Sequence, residues 1–246
     1  MRLKTFGLLI LIVIFGVFIY ITSAVRGDEN SHFNQTTRYK LGRFGWARAL
    51  FFLHKDGDAK AQYLFGSGPL VLEIVRAEDV EINQELTESL ASSTQQLLER
   101  PVQVFSVDTI KGGQLTDADI QTIVKEKHRH FLPGQPNFFV IVADDYEGRD
   151  KEVGKTYQEF AALLSYERLK EVTDRYPASL NQYLESTILH EFGHQVGLSH
   201  NDLHKCIMNE KIESPDSEGL FEDYFTPVEF CEFEIDQLKE IKASLN

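Results

Sequence analysis

The chain has 246 residues, of which 42% are hydrophobic and 11% aromatic, a composition that excludes a disordered or low-complexity protein. Lysine and arginine number 25 against 38 aspartate and glutamate residues, which gives a formal net charge of −13. This acidic balance argues against a nucleic-acid-binding protein, because contacts with phosphates need a basic surface. The two cysteines are too few for a disulfide-rich scaffold or for a zinc site of four cysteines.

The first 25 residues differ in character from the rest of the chain. After the basic Arg2 and Lys4, residues 5–25 carry no charge, and this run has about the length that a helix needs to cross the hydrocarbon core of a bilayer. We expect an N-terminal transmembrane helix over residues 1–25, with its basic end in the cytoplasm and the rest of the chain outside. A cleaved signal peptide is the alternative, and the protein would then be secreted.

Beyond this segment, the sequence predicts a single α/β domain. Residues 26–68 contain many glycines and aromatic residues and are interpreted as a membrane-proximal segment that packs on the domain that follows. From residue 69 onward, apolar runs predict strands at 70–75, 102–107, 138–142 and 160–165, and apolar residues at helical spacing predict helices at about 81–99 and 116–130. This alternation indicates a mostly parallel sheet with crossover helices.

The residues that indicate chemistry lie in one short segment of the second half of the chain. His190 and His194 are four residues apart, so both side chains project from one face of a helix. Gly197 is placed to end that helix with a left-handed turn, which would bring back His200 as a third ligand. Three imidazoles predict a single catalytic Zn²⁺ with a fourth position open to water. Glu191 is adjacent to the first ligand, within reach of that water.

Together with Met208, eight residues beyond His200, this segment resembles the signature of the metzincin clan of zinc peptidases: His-Glu-x-x-His-x-x-Gly-x-x-His followed by a methionine turn. The resemblance implies that the zinc ligands are His190, His194 and His200. It also implies that Glu191 is the general base and that Met208 forms the turn beneath the metal. It also implies an α+β domain of the zincin type, with a mixed sheet and an active-site helix, over residues 69–246.

Within the clan, the pattern is similar to that of the archaemetzincin family, in which four cysteines after the third histidine hold a second, structural zinc. The matching positions here are Asn201, Cys206, Cys231 and Glu234. Because two of the four thiolates are missing, a second zinc is not expected. Cys206 and Cys231 could instead form a disulfide, which an exported protein permits. A pair of free thiols is the alternative.

The resemblance also implies that a peptide substrate pairs with the strand before the active-site helix, which contains Leu163, Leu164 and Ser165. The predicted function is that of a monomeric zinc-dependent peptidase, anchored to a membrane or secreted, in which a metal-activated water attacks the peptide bond. Three alternatives remain: a zinc-bound but inactive cell-surface binding module, a hydrolase of other amides, and a structural membrane-associated protein without metal.

Overall fold

The computed structural model describes residues 2–25, 31, 33, 37–42, 44–51, 59–66, 68–128, 136–148, 152–174, 179–203, 205–213 and 226–245. Much of the segment 26–68 therefore lies outside the described residues.

The described part of the chain begins with three helices, which are α1 (Arg2–Val25), α2 (Arg38–Gly42) and α3 (Gly45–Phe51). Val25, Ala47 and Phe51 pack together in a small apolar cluster. Among the described residues, no helix combines the length and the apolar character that a membrane span requires. The structure thus gives no support to the transmembrane helix expected from the sequence.

A central sheet and its flanking helices make up the rest of the fold. The strands are β1 (Leu70–Ala77), β2 (Val102–Ile110), β3 (Gln114–Leu115), β4 (Asn137–Ala143), β5 (Asp145–Tyr146), β6 (Gly154–Tyr157) and β7 (Ala161–Ser165). The helices are α4 (Lys60–Phe65), α5 (Gln84–Leu98), α6 (Asp117–Lys127), α7 (Tyr166–Thr173), α8 (Leu180–Val196), α9 (Glu210–Glu213) and α10 (Glu232–Ser244).

Five of the strands form the main sheet, in the order β2-β1-β4-β7-β6. β1, β2, β4 and β7 are parallel, whereas β6 runs antiparallel to β7. β3 and β5 pair separately as a two-stranded sheet. The predicted mixed α/β architecture is therefore confirmed.

Successive side chains of each strand point to opposite faces of the sheet, and both faces are covered by a hydrophobic core. Leu72 and Val140 lie in the larger core, to which α5, α8 and α10 contribute, and Val75 and Ile141 lie in a smaller core with α6. Helices on both faces explain why β1 and β4 read as continuous apolar runs in the sequence.

Helix α4 packs into the larger core. The ring of Tyr63 lies 5.6 Å from that of Phe192 on α8, and its hydroxyl donates a 2.8 Å hydrogen bond to the carbonyl of Asn137. This part of the segment 26–68 therefore packs directly against the helix that carries the histidines.

The strand that was expected to receive a substrate lies in the interior of the sheet. Leu163 pairs with Ile141 of β4 on one side and with Lys155 of β6 on the other. Leu164 is enclosed in the same way, and the N–H of Ser165 donates to the carbonyl of Val153. The assignment of Leu163, Leu164 and Ser165 to a substrate-binding edge is wrong, because neighbouring strands already occupy both sides of β7. Among the described residues, β6 is the outer strand at this side of the sheet.

A disulfide joins the loop after His200 to the beginning of α10. Cys206 lies in that loop, and Cys231 is the residue before the first turn of α10. The two cysteines are 25 residues apart in sequence. The bond therefore ties the loop after His200 to the C-terminal helix.

We predict that the unreduced protein contains no thiol that reacts after denaturation. Replacing both Cys206 and Cys231 with serine should lower the free energy of unfolding by about 3 kcal/mol, because a loop of about 25 residues then gains entropy in the unfolded chain. Thiol titration and urea denaturation of both proteins measure these effects. Two reactive thiols in the unreduced protein would contradict the prediction.

Candidate metal centre

Helix α8 provides a buried and well-defined support for the site. At its beginning, the N–H of Gln182 donates to the Ser179 hydroxyl, and the Gln182 side chain accepts from the N–H of Ser179, a reciprocal arrangement that stabilises a helix start. From Tyr183 to Gly193 every residue of the helix is buried. Side chains that project from such a helix have little freedom to move, which is what a metal site needs.

The helix ends at Val196, and Gly197 follows in a left-handed conformation with φ 95°. The N–H of Gly197 donates to the carbonyls of Gly193 and His194, and the N–H of Leu198 also donates to Gly193. A side chain is disfavoured here because this φ lies in the left-handed region, which suits glycine. The turn redirects the chain so that His200 faces the helix.

Three imidazoles meet at the end of α8. The Nε2 atom of His200 lies 3.1 Å from Nε2 of His190 and 3.0 Å from Nε2 of His194. The ring centroids are 4.6 to 5.1 Å apart. His190 is fully buried and His200 is exposed, so the cluster lies where the interior opens to solvent.

Backbone carbonyls fix the orientation of two of the rings. Nδ1 of His190 lies 2.7 Å from the carbonyl oxygen of Ile207, and Nδ1 of His194 lies 3.3 Å from that of Leu198. Because a carbonyl oxygen only accepts, Nδ1 carries the proton and Nε2 of the neutral ring carries a lone pair. Two lone pairs therefore point toward the position where His200 also places a ring nitrogen.

This donor set fits Zn²⁺. A tetrahedral zinc with Zn–N bonds of 2.0–2.1 Å places its nitrogen ligands about 3.3 Å apart, close to the separations of the Nε2 atoms in the cluster. The Nδ1–H to carbonyl hydrogen bonds are the contacts that usually orient metal-binding histidines. His190, His194 and His200 are thus brought together as a group that could hold a metal ion.

Glu191 is fully buried on the adjacent side of α8 and faces strand β6. A Cβ placed on Gly154 would lie 3.0 Å from Oε1 of Glu191 and 2.9 Å from Cγ2 of Thr187. The absence of a side chain at Gly154 therefore lets the outer strand approach the glutamate closely. The carboxylate lies between the helix that carries the histidines and this strand.

Met208 lies in a turn packed against α8 at Gly193. The methionine is fully buried, and a Cβ on Gly193 would overlap its Sδ. The carbonyl of Met208 accepts a 2.8 Å hydrogen bond from the N–H of Asn201, the residue after His200. The turn thus packs on the helix and at the same time holds the segment of the third histidine.

Sequence analysis did not identify Gly154 or Gly193 as part of the site. Gly193 occupies a variable position of the motif. A glycine inside a helix is nevertheless unusual, because it lowers the stability of the helix by about 1 kcal/mol relative to alanine. A glycine at such a position indicates that another part of the chain occupies the space that a side chain would fill. Gly154 carries no comparable signal, because the segment around it is short and polar.

We predict that Gly193→Ala destabilises the protein by about 1–3 kcal/mol, the range typical of overpacked cores, although alanine favours helices. The cause is the displacement of Met208, and zinc binding should weaken as well. Gly68→Ala is the matched control, because a Cβ at that position meets nothing within 4 Å. Thermal unfolding and zinc titration measure both effects. An unchanged or raised stability of Gly193→Ala would contradict the prediction.

The chain is similar to several solved structures, among them the following three. An archaemetzincin from Methanopyrus kandleri has a TM-score of 0.48 and 16% identity, with 72% of this chain and 97% of that chain covered. A zinc-dependent peptidase from Methanocorpusculum labreanum has a TM-score of 0.45 and 18% identity, covering 68% and 99% of the two chains. An archaemetzincin from Archaeoglobus fulgidus, complexed with malonate, has a TM-score of 0.39 and 18% identity, with 68% and 99% covered.

No family model matches this sequence, and no curated protein gives a significant match.

Proposed function

We propose that this protein is a zinc-dependent peptidase in which His190, His194 and His200 bind one Zn²⁺ and Glu191 is the general base. The observation that carries the proposal is the convergence of three imidazole nitrogens, with Nε2 of His200 3.1 and 3.0 Å from the other two. Three protein ligands leave a coordination position open, which is typical of catalytic rather than structural zinc sites.

A bound Zn²⁺ would supply a Lewis acid that polarises a carbonyl group and lowers the pKa of water to about 7. The role of Glu191 is to accept a proton from the attacking water at its carboxylate and to donate that proton to the leaving nitrogen. Its position on α8, one residue after a ligand and against β6, supports this role. His190 and His194 keep their ring orientations through the carbonyls of Ile207 and Leu198.

We assign substrate binding to the outer edge of β6. Gly154–Tyr157 pairs with β7 on one side only among the described residues. The other side offers backbone groups with which an extended peptide can pair as an added strand. Because Gly154 lies against Glu191, a peptide on this edge would run past the carboxylate. The exposed His200 lies at the solvent side of the histidine cluster, where a substrate can enter.

Replacing Glu191 with glutamine tests the assignment of the general base. We expect the variant to bind one zinc ion like the wild type and to lose a factor of about 10²–10⁴ in kcat, the usual contribution of general acid–base catalysis. Zinc content of the purified protein and cleavage of a fluorogenic peptide library are the measurements.

The matched control is Glu185→Gln on the same helix. Glu185 is buried toward α5, and this burial raises the pKa of its carboxyl, so a neutral amide is a mild change there. The control should keep wild-type activity. Turnover of Glu191→Gln at the wild-type level, or a zinc-loaded wild type that cleaves no peptide and no other amide, would refute the proposed catalysis.

We further propose that the folded domain lies outside the cytoplasm. Two features support this placement: the uncharged run of residues 5–25 after Arg2 and Lys4, and the disulfide between Cys206 and Cys231. Structural disulfides are typical of exported proteins and rare in the cytosol.

Expression in a bacterial host tests the placement. The full chain should carry oxidised cysteines and be degraded by protease added to spheroplasts, whereas a variant without residues 2–25 should stay protected, with reduced thiols. The N-terminal mass of the exported protein tells an uncleaved anchor from a cleaved signal peptide. Protection of the full chain, with both thiols reduced, would contradict export.

A further inference from the structure

We infer that Glu234 is a positioning residue of the metal centre, whose buried carboxylate fixes the peptide groups that orient His190 and His200. The inference rests on the proposed zinc site and adds a residue that lies outside the ligand set. Glu234 is in the first turn of α10 and is fully buried.

Four N–H groups donate to the carboxylate of Glu234. Oε1 accepts from the N–H of Met208 at 2.5 Å and from Nδ2 of Asn201 at 3.2 Å. Oε2 accepts from the N–H of Cys231 at 3.0 Å and from the N–H of Ile207 at 3.3 Å. These donors, together with the positive end of the α10 dipole, offset the cost of burying a charge.

One peptide group connects the carboxylate to the first ligand. The peptide between Ile207 and Met208 donates its N–H to Glu234, and its carbonyl accepts from Nδ1 of His190 at 2.7 Å. A negative charge at the N–H end polarises the peptide and makes its carbonyl a stronger acceptor. A stronger hydrogen bond at Nδ1 fixes the ring and raises the basicity of Nε2, as it does in other metal sites.

A second path leads from the carboxylate to the third ligand. Asn201 follows His200 directly, donates from its side chain to Glu234, and donates from its backbone N–H to the carbonyl of Met208. Both contacts hold the backbone of the His200 segment against the turn at Met208. Glu234 therefore contacts both the segment of His200 and the peptide that orients His190. A residue whose role was only to stabilise the start of α10 would not make these contacts.

The disulfide provides a way to separate positioning from general stability. Cys231 is joined to Cys206, the residue before Ile207, so the disulfide and Glu234 both tie α10 to the same loop. Of these two connections, Glu234 is the one that is hydrogen-bonded to the Ile207–Met208 peptide, whose carbonyl contacts His190. Loss of the disulfide should therefore lower stability without a matching loss of zinc affinity.

The test measures the affinity of the metal-free protein for Zn²⁺ alone, by competition with a chromophoric chelator. Wild type should bind one zinc ion. Glu234→Gln should bind it about 10–100-fold more weakly, the usual effect of removing a group that orients a ligand, because the amide –NH₂ faces N–H donors. Glu232→Gln, an exposed acid in the same turn, should bind zinc like the wild type.

Two further variants complete the experiment. The double variant Cys206→Ser, Cys231→Ser should unfold at a lower temperature and keep nearly the wild-type zinc affinity. Asn201→Ala leaves the carboxylate in place and removes one of its contacts, so it should weaken zinc binding less than Glu234→Gln does. If Glu234→Gln does not fold, weaker zinc binding by folded Asn201→Ala supports the inference, and unchanged binding overturns it.

The outcomes separate the inference from the proposed function. A wild-type protein that does not bind zinc refutes both. A wild type that binds zinc, with Glu234→Gln equal to it, overturns the positioning role and leaves the zinc site intact. An equal loss of affinity in the double serine variant would also overturn it, because the effect would then follow from stability alone.

Discussion

The whole site depends on the convergence of three ring nitrogens, two of which carry lone pairs that face the third. Carbonyl acceptors at Nδ1 of His190 and His194 prevent these rings from turning their N–H groups inward. Lone pairs held this close repel one another, and a cation bound at their centre would replace this repulsion with attraction. The buried helix, the left-handed turn and the methionine turn all serve to hold this arrangement.

The site also requires that neighbouring elements lie very close to helix α8. Met208 reaches α8 because residue 193 is a glycine, and β6 reaches Glu191 because residue 154 is a glycine. Each approach brings a different element to the same helix: a turn on one side and a strand on another. The three histidines, Glu191 and the proposed substrate edge are therefore positioned by elements that meet at α8, and glycines allow the close contacts between these elements.

The sequence predicted the helix of the histidines and the parallel strands well, because helical spacing marks the first and continuous apolar runs mark the second. His190 and His194 at helical spacing and Gly197 after them describe a local structure that needs no distant contacts. The strand β6 was missed, since Gly154–Tyr157 is short and without an apolar run. The substrate edge was misplaced on Leu163 to Ser165 because strand order is a tertiary property that no local pattern contains. At Glu234 the sequence shows only a missing cysteine, because three of its four hydrogen bonds come from residues distant in sequence.

X-ray absorption spectroscopy of the zinc-loaded protein at the zinc edge tests the central claim most directly. We expect three imidazole nitrogens and one further oxygen at about 2.0–2.1 Å from zinc, with no sulfur neighbour, and one nitrogen fewer in His200→Ala. Sulfur scattering at about 2.3 Å would place the metal at Cys206 and Cys231 and contradict the account, as would a zinc environment that His200→Ala leaves unchanged.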